Sequence, residues 1–405
     1  MRIGINGRFL AVVNRTGVQR MAYNLIRALV NVDQTNHYVI FTCESQATNP
    51  DWQRPNVTVV TSRIREGENF RNYYWEQFTL PRLARRHRVD ILHSPANLAP
   101  IFYKGRSIVH IHDLCFVVNP QWYSFSARTL YNIIILRIAR RAAKVITNSN
   151  NSRNDLLQFC DLQAEQVSQV YWAVDDLFMQ DANTPVAPNW HLKDYILYVG
   201  SLEPRKNIGA LLEAYELLRT NRPECRTKLV LIGGESPLFA EVRLKVKRFK
   251  EDVLFKGFVN DHVLRDYYRH ASLFVYPSLY EGFGLPPLEA MASGVPVVTT
   301  FTSSIPEAVG DAALMVDPTN IPQLASVMDR VLTDNELRAQ LIAKGREHVQ
   351  KFNWCRVARN TLAVYYEVYN SKMAGSTGRK YLPFELWKTL KQLEESRISP
   401  LSNQL

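Results

Sequence analysis

Short apolar segments alternate with amphipathic segments along most of the 405-residue chain. In its first part, six apolar runs predict β-strands, and apolar residues between several of them follow the i, i+3, i+4 spacing of one helix face. The first such helix is predicted from Val18 to Leu29. This alternation predicts a parallel sheet with helices on both faces. The six predicted strands are residues 2–6, 37–42, 56–61, 89–93, 107–112 and 143–147.

A second alternating series follows a polar segment, residues 180–189, which contains two prolines and is typical of a linker. Because the chain is too long for one ordinary domain, we predict an N-terminal domain over residues 1–180 and a C-terminal domain over residues 190–369. Ligands of such sheets bind at the carboxyl ends of the strands, so the crevice between the domains is the expected site. The predicted strands of the second domain are residues 195–199, 228–232, 253–256, 273–276 and 295–299, with helices at about 206–218, 262–270 and 286–293.

The end of the chain contains two further helical patterns. A long helix is predicted after Trp354, and a Ser/Gly-rich stretch over residues 371–378 follows it. A last amphipathic helix is predicted around Leu386 to Leu393.

The composition, with 46% hydrophobic and 21% charged residues, excludes a disordered or collagen-like chain. No window approaches ~18 uninterrupted apolar residues, so we expect no transmembrane helix. The N-terminus leads directly into a strand pattern, without the layout of a signal peptide. Five scattered cysteines without C-x-x-C spacing predict free thiols in a reducing cytosol. They are Cys43, Cys115, Cys160, Cys225 and Cys355.

The net charge of +11 is unevenly distributed. Residues 1–150 hold 20 basic and 8 acidic residues, whereas the remainder holds 29 basic and 30 acidic ones. This asymmetry predicts an acidic partner for the N-terminal part, such as a membrane surface, a phosphorylated acceptor or nucleic acid. The grouped arginines around residues 82–88 and 137–141 lack the interleaved aromatic residues of single-strand binding, which argues against nucleic acid.

The strongest motif, P-S-L-Y-E-G-F-G-L-P-P-L-E-A, covers residues 277–290 between a predicted strand and a predicted helix. Gly282 and Gly284 permit a tight turn and a close approach of the backbone to a ligand. A proline suits the helix start, where the free N–H groups and the positive dipole end favour an anion. Glu281 and Glu289 can accept hydrogen bonds from two sets of hydroxyls, such as those of a sugar and a ribose. The E-x7-E spacing alone would more often mark a strand–turn–helix corner without a binding role, but the whole motif favours ligand binding.

A second motif, G-S-L-E-P-R-K-N, covers residues 200–207, also between a strand and a helix. Arg205 and Lys206 combine a forked donor with a point charge at a helix start, which predicts a site for an anion such as a diphosphate. Asn207 is predicted to be the N-cap of that helix. The alternative is a solvated pair of charges.

Two weaker signals lie in the N-terminal domain. Gly17, within residues 14–20 at the start of the first helix, can bring backbone N–H groups close to a phosphate or a sugar. His112 and Asp113 follow a strand, where a histidine can bind a sugar hydroxyl or move a proton, or simply be packed.

Several familiar motifs do not occur in the chain. It has no G-x-G-x-x-G and no G-x-x-x-x-G-K-[ST], so the main sequence evidence for a nicotinamide dehydrogenase or a P-loop enzyme is missing. It also has no Asp-x-Asp and no His/Cys cluster, so we expect no bound metal.

Together these motifs resemble glycosyltransferase family 4, the retaining enzymes of GT-B fold, over about residues 1–370. The E-x7-E motif matches with its continuation E-G-F-G-L-P-x-L-E-A-M-A-x-G-x-P-V-V, which runs to Val298. The shorter matches are E-P-R-K-N at residues 203–207, H-D-L at residues 112–114 and F-N-W at residues 352–354.

The resemblance implies two Rossmann-like α/β domains that face each other across a deep crevice. It implies a C-terminal helix that crosses back to the N-terminal, acceptor-side domain, with residues 370–405 packing there as well. It further implies catalytic roles at the donor sugar for Glu281 and His112, and ribose binding by Glu289. The remaining donor-binding residues that it implies are Gly17, Arg205, Lys206, Phe283, Gly284 and Leu285.

The implied function is retaining transfer of a hexose from a sugar nucleotide to a hydroxyl of a glycan or glycolipid, without a cofactor or metal. The S-L-E-P-R-K-N and I-H-D-L variants resemble bacterial mannosyltransferases of polysaccharide and lipopolysaccharide assembly, so GDP-mannose is the first expected donor. UDP-glucose, UDP-N-acetylglucosamine and deoxysugar nucleotides remain open. The alternatives are a sugar-nucleotide epimerase of GT-B fold and a non-catalytic nucleic-acid-binding protein.

We expect a cytoplasmic location. The basic N-terminal part suggests attachment to the inner face of the plasma membrane, where a lipid-diphosphate acceptor would lie. A merely solvated basic face is the alternative.

Overall fold

The computed structural model describes residues 1–12, 17–179, 192, 194–234, 246, 249 and 252–371. The first domain contains a seven-stranded parallel sheet of order β3-β2-β1-β4-β5-β6-β7. The chain runs outward from β1 to β3 and then returns to β4 beside β1, which creates the switch point where such sheets bind ligands. The strands are β1 (Arg2–Asn6), β2 (His37–Cys43), β3 (Val57–Ser62), β4 (Ile91–Ser94), β5 (Arg106–His110), β6 (Lys144–Thr147) and β7 (Val167–Gln169).

The second domain repeats this design with a six-stranded parallel sheet of order β10-β9-β8-β11-β12-β13. Its four inner strands are largely buried on both faces because helices cover them, which explains their continuous apolar runs. The two-domain α/β prediction is confirmed. The strands are β8 (Tyr195–Val199), β9 (Lys228–Ile232), β10 (Val253–Gly257), β11 (Ala271–Tyr276), β12 (Val297–Thr300) and β13 (Leu314–Val316).

Helices flank both sheets. The predicted apolar stripe of the first helix is buried against the sheet, as at Met21, Leu25 and Leu29. A π-helical turn, Trp75–Thr79, joins the second and third helices. The helices are α1 (Gly17–Val32), α2 (Asn69–Tyr74), α3 (Leu80–Arg86), α4 (Cys115–Val118), α5 (Phe125–Arg141), α6 (Asn150–Cys160), α7 (Ile208–Asn221), α8 (Asp261–Arg269), α9 (Leu285–Ala292), α10 (Ile305–Val309), α11 (Ile321–Thr333), α12 (Asn335–Val349) and α13 (Trp354–Ser371).

Helix α13 crosses from the second domain to the first, as expected. The Tyr365 hydroxyl lies 2.5 Å from His93 Nδ1, at the centre of the first sheet. Lys144 on β6 donates to Glu367 on α13. The predicted last helix and the rest of residues 372–405 lie outside the described residues, and the predicted domain boundaries remain predictions.

All five cysteines lie in the described part of the chain and none forms a disulfide; four are buried and Cys355 is exposed. Among the described helices, none combines the length and the apolar character needed to cross a bilayer.

Candidate active site

A cleft of about 560 Å³ lies between the two domains, at the carboxyl ends of their strands. The start of α1 and the segments after β5 and β6 form the first-domain wall. The segments after β8, β9 and β11, with the start of α9, form the opposite wall. Every residue predicted for the site lines this cleft: Gly17, His112, Arg205, Lys206, Glu281, Phe283, Gly284, Leu285 and Glu289.

Glu281 is the centre of a buried charge cluster on the second-domain wall. Lys206 Nζ donates to its Oε1 at 2.6 Å, and Arg205 Nη1 donates to its Oε2 at 3.1 Å. The hydroxyls of Tyr276 and Ser278 also donate to Oε1. Oε1 is therefore saturated, whereas Oε2 can still accept a hydrogen bond.

The charge of Glu281 is fixed by its neighbours. Burial by itself would raise the pKa of its carboxyl, but Lys206 and Arg205 outweigh that effect and lower the pKa to about 2. Glu281 is thus ionised throughout the neutral range and cannot act there as a proton donor.

Arg205 contributes the second cation of the cluster. Its Nε donates to Glu203 at 2.9 Å, and its Nη1 donates to Glu281 and to the carbonyl of Tyr280. Nη2 makes no hydrogen bond to another residue of the described chain. The guanidinium therefore keeps a donor that an anion in the cleft can use.

A short turn explains why Arg205 and Lys206 face the cleft together. Residues Pro204–Lys206 form a 3-10 turn, and Asn207 then adopts a left-handed conformation with φ 55° before α7 begins at Ile208. The Asn207 side chain donates to the carbonyl of Pro318 at 2.8 Å instead of capping the helix. Asn207 therefore occupies the predicted N-cap position, but its side chain does not cap the helix because the amide has a tertiary partner.

Glu289 lies on α9 and is 6% exposed. The Tyr268 hydroxyl donates to its Oε2 at 2.9 Å, and Arg20 Nη1 lies 3.7 Å from its Oε1, too far for a hydrogen bond. Burial raises the pKa of Glu289, and Arg20 and Tyr268 oppose the rise. Oε1 is thus able to accept hydrogen bonds from a ligand.

His112 is the histidine of the first-domain wall of the cleft. Its Nε2 lies 3.2 Å from the carbonyl of Pro95, and its Nδ1 is buried without a hydrogen bond from any residue that the structure describes. Burial lowers the pKa of His112 to about 3, so the imidazole is neutral. A carbonyl can only accept, so Nε2 carries the proton and Nδ1 can accept from a sugar hydroxyl.

The turn before α9 is shaped by two glycines. A Cβ on Gly282 would lie 2.4 Å from the carbonyl oxygen of His112, so only glycine permits this contact between the domains. Gly284 has φ 109°, in the left-handed region, and leads into α9 at Leu285. The Phe283 ring packs against Tyr171 with a centroid distance of 5.6 Å.

Gly17 begins α1, and a Cβ placed on it would meet no atom within 4 Å. The remainder of its predicted loop, residues 14–16, lies outside the described residues. The opening of α1 nevertheless faces the cleft, where its first N–H groups lack partners within the helix.

Sequence reasoning missed several lining residues. Arg20 lies one turn after Gly17 on the same face of α1, a spacing that the sequence did contain. Gly233 follows β9, and a Cβ there would lie 1.9 Å from the carbonyl oxygen of Gly200, so the two strand ends meet backbone to backbone. The apolar end of the cleft beside them includes Val199, Ile232, Phe258, Val259 and Leu264.

One rim of the cleft is bridged by direct contacts between the domains. Tyr280 donates to Asp155 at 2.6 Å. Glu307 accepts from the backbone N–H groups of Asn150 and Asn151 at 2.7 and 2.8 Å, at the start of α6. The domains are therefore closed on this side.

No group of three or more His, Cys, Asp or Glu residues in the described part of the chain is arranged to hold a metal ion.

Comparison with known proteins identifies the family. Residues 15–176 match the family model described as Glycosyltransferase Family 4, and residues 184–348 match the one described as Glycosyl transferases group 1. O-antigen chain mannosyltransferase B of Escherichia coli is 32% identical over 294 residues, which are 69% of this chain and 75% of that protein. The chain belongs to glycosyltransferase family 4. The predicted glycosyltransferase activity is thereby confirmed, and the relatives favour it over the epimerase and nucleic-acid-binding alternatives.

A second relative of this family 4 protein is the serotype-specific mannosyltransferase WbdA of Escherichia coli. It is 28% identical over 68% of this chain, but the chain spans only 35% of WbdA. Among solved structures, sucrose-phosphate synthase from Thermosynechococcus elongatus aligns with a TM-score of 0.70 and 22% identity, over 91% of this chain and 99% of that one. The likeness shows a shared fold, and the predicted GT-B architecture is confirmed.

Proposed function

We propose that the protein transfers a hexose, with GDP-mannose as the first-choice donor, to a hydroxyl of a glycan or lipid-linked acceptor in bacterial polysaccharide or lipopolysaccharide assembly. The observation that carries the proposal is the Glu281 cluster with Arg205 and Lys206, which faces His112 across the cleft. The two mannosyltransferases among the relatives support the sugar, and the O-antigen chain mannosyltransferase supports the pathway class.

We propose that the diphosphate leaves without help from a metal ion or cofactor. Negative charge builds up on the departing phosphate, and Nη2 of Arg205, the ammonium of Lys206 and the N–H groups at the start of α9 face the place where it would form. Such preorganised donors act strongly in a site that excludes water. Losing one of them costs about 3 kcal/mol in the transition state, or ~10²-fold in rate.

The sugar would lie between the two walls. His112 Nδ1 would accept from one hydroxyl and Glu281 Oε2 from another, while the carboxylate charge stabilises an oxocarbenium-like sugar. The acceptor hydroxyl would attack from the face that the diphosphate leaves, which retains the anomeric configuration. NMR of the first-formed product distinguishes retention from inversion.

We assign the nucleoside to the remaining part of the cleft. Glu289 Oε1 would accept from ribose hydroxyls, and the apolar end around Ile232, Val259 and Phe258 would hold the base. Calorimetric titration with GDP-mannose, UDP-glucose, UDP-N-acetylglucosamine and a deoxysugar nucleotide tests the donor, with GDP-mannose expected to bind most tightly.

Glu289→Gln tests the ribose contact in the same titrations. Hydrogen bonds to a charged group contribute about 1.5–3 kcal/mol, so the affinity should fall by roughly 10- to 100-fold. Glu336→Gln, at an exposed position on α12, is the matched control and should bind like wild type. Equal affinity of the Glu289 variant and wild type would contradict ribose binding by Glu289.

We also propose that the protein works in the cytoplasm and attaches peripherally to the inner face of the plasma membrane. The aromatic patch, defined as Tyr74, Phe78 and Phe102, is 56%, 41% and 62% exposed, with successive centroid distances of 4.8 and 6.1 Å. Exposed arginines of α3 lie beside it, and Arg82 donates to the carbonyl of Phe78. Aromatic rings at the headgroup level and arginines near anionic lipids are the pattern of a surface-bound protein.

Vesicle flotation tests this surface. Wild type should float with vesicles that contain phosphatidylglycerol and less with pure phosphatidylcholine, while Phe102→Ser should reduce the bound fraction. Phe301→Ser, at a 54% exposed position of the other domain, is the control. Equal partitioning onto neutral and anionic vesicles would rule out the electrostatic attachment.

A further inference from the structure

A polar cluster in the first domain lies outside the site described above. Asn6 ends β1, Arg8 begins the 3-10 turn that follows, and Glu76 projects from the π-helical turn Trp75–Thr79. Asn6 and Glu76 are buried, whereas the Arg8 side chain is 24% exposed. The cluster therefore has a charged edge that solvent or a ligand can reach.

The Glu76 carboxylate is only half satisfied. Asn6 Nδ2 donates to Oε1 at 2.6 Å, but no described residue donates a hydrogen bond to Oε2. Arg8 Nε lies 3.6 Å from Oε2, an ion-pair distance but not a hydrogen bond. Burial raises the pKa of Glu76, and Arg8 and Asn6 oppose the rise. A buried carboxylate oxygen without a donor is unfavourable and calls for a functional explanation.

The neighbouring Gln77 provides a contrast within the same turn. Its Nε2 donates to the carbonyl of Ala99 at 3.2 Å, and its Oε1 accepts from the N–H of Ile101 at 2.8 Å. Both ends of this amide fasten the loop after β4, so Gln77 has a complete structural role. Gln77 thus fastens the turn to the loop after β4, while Glu76 keeps an unused acceptor. Because π-helical turns often occur at functional sites, this acceptor is a candidate for ligand binding.

The cluster is one loop away from the donor sugar end of the cleft. That loop follows β4, and its Asn97 Oδ1 accepts from the backbone N–H of His112 at 3.0 Å. From the other side, Asn6 Nδ2 donates to Ser94 Oγ at 3.2 Å and lies 3.5 Å from the carbonyl of Leu98. An acceptor whose reacting hydroxyl reaches a sugar beside His112 would therefore extend past Arg8 and Glu76.

We propose that Glu76 and Arg8 bind the acceptor. Glu76 Oε2 accepts a hydrogen bond from one hydroxyl of the acceptor's terminal sugar, and the Arg8 guanidinium donates to a neighbouring oxygen. The two charges cancel, so the pair suits a neutral hexose better than a phosphate. The inference rests on the proposed transfer to a glycan.

The sheet order leaves room for the rest of the acceptor. Beyond β1 lie β2 and β3, and a second open cavity of about 580 Å³ lies at their carboxyl ends. Its polar lining includes Glu44, Ser45, Ser62, Arg63, Arg65 and Glu66. Further sugars can follow this edge of the sheet away from the donor.

The test uses the full chain and Glu76→Gln, in which an amide of the same shape replaces the unused acceptor oxygen by a donor. Saturation-transfer NMR titrations with the octyl glycosides of mannose, glucose, galactose and N-acetylglucosamine measure acceptor affinity without a donor. We expect wild type to bind at least one of them, and Glu76→Gln to bind it at least tenfold more weakly. Calorimetric affinity for GDP-mannose and the Tm should not change.

Glu336→Gln is the control, because Glu336 is exposed on α12 of the second domain; it should bind glycosides like wild type. Should Glu76→Gln fail to fold, Arg8→Gln, at a partly exposed position, takes its place with the same expectation. The inference would be overturned if the variant bound the glycosides within twofold of wild type, or if it lost affinity for GDP-mannose in parallel. It would also be overturned if wild type bound none of the four glycosides. A wild type that binds glycosides but no sugar nucleotide would instead refute the proposed function.

Discussion

Lys206 and Glu281 are both nearly inaccessible, with side-chain exposures of 6% and 8%, so neither charge can be compensated by water. The 2.6 Å contact between them and the second cation, Arg205, stabilise these buried charges, which an apolar wall could not do. The same arrangement makes the site sensitive to single substitutions, because removing one member leaves the other buried and unpaired.

Glu281→Gln should therefore destabilise the protein by about 3–5 kcal/mol, since Lys206 loses its carboxylate partner. Lys206→Met should be less damaging, because Arg205 remains 3.1 Å from Glu281. The double variant should be more stable than the sum of the single changes predicts. Urea denaturation of the four proteins measures this coupling, and strictly additive changes would show that the pair is not energetically linked.

The contribution of Glu281 to stability should depend on pH in the acid range. Its pKa is lowered by folding from 4.5 to about 2, so its stabilisation is fully present above pH 4.5 and is lost as the pH falls toward 2. The difference in free energy of unfolding between wild type and Glu281→Gln should be constant from pH 7 to 5 and then narrow. A difference that persists unchanged at pH 3.5 would contradict this linkage.

Single residues could be predicted from the sequence where their motif is continuous. Glu281, Glu289, Arg205 and Lys206 lie in two short segments, and the structure places all four around one cleft. Glu76 could not be found in this way, because the side-chain hydrogen bond that its carboxylate accepts within the described part of the chain comes from Asn6, 70 positions away. A contact between residues so far apart in the sequence leaves no signal in the local pattern of residue types.

At the level of elements, the sequence predicted the strands that are buried on both faces, because such strands are continuous apolar runs. It missed β7 and β13, which are edge strands of three residues each and too short to show a pattern. It also began one helix at residue 206, where the 3-10 turn Pro204–Lys206 precedes the true start at Ile208. Turn geometry set by tertiary contacts accounts for that error.

The turn between β11 and α9 yields a prediction at this scale. Gly282→Ala should strongly reduce transfer, because its Cβ would lie 2.4 Å from the carbonyl oxygen of His112 and would push the domains apart. Gly209→Ala on α7 is the matched control, since a Cβ there meets nothing within 4 Å. The control should keep its activity and gain about 0.5–1 kcal/mol in stability. Steady-state transfer rates and urea midpoints of both variants provide the comparison, and an active Gly282 variant would refute the steric argument.

For the whole molecule, the decisive feature is how the two domains meet. Glu307 reaches from the second domain to the first two N–H groups of α6, where both the unpaired donors and the helix dipole favour a carboxylate. Tyr171 also donates to Glu307, at 3.1 Å. Nothing in the sequence around residue 307 distinguishes it from an ordinary helical glutamate, because the partners belong to another domain.

Glu307→Gln should shift the molecule toward an open arrangement. The neutral amide keeps the size of the side chain but weakens an interaction worth about 0.5–2 kcal/mol, so the closed population should fall by roughly 2- to 30-fold relative to the open one. Small-angle scattering should report a larger radius of gyration, and KM for the donor should rise, because the cleft is complete only when both walls meet. Asp311→Asn, which removes an exposed ion pair with Lys344 inside one domain, should change neither quantity. Scattering curves and KM values that coincide for wild type and Glu307→Gln would show that closure is held by other contacts, of which the Tyr280–Asp155 hydrogen bond would be the first to test.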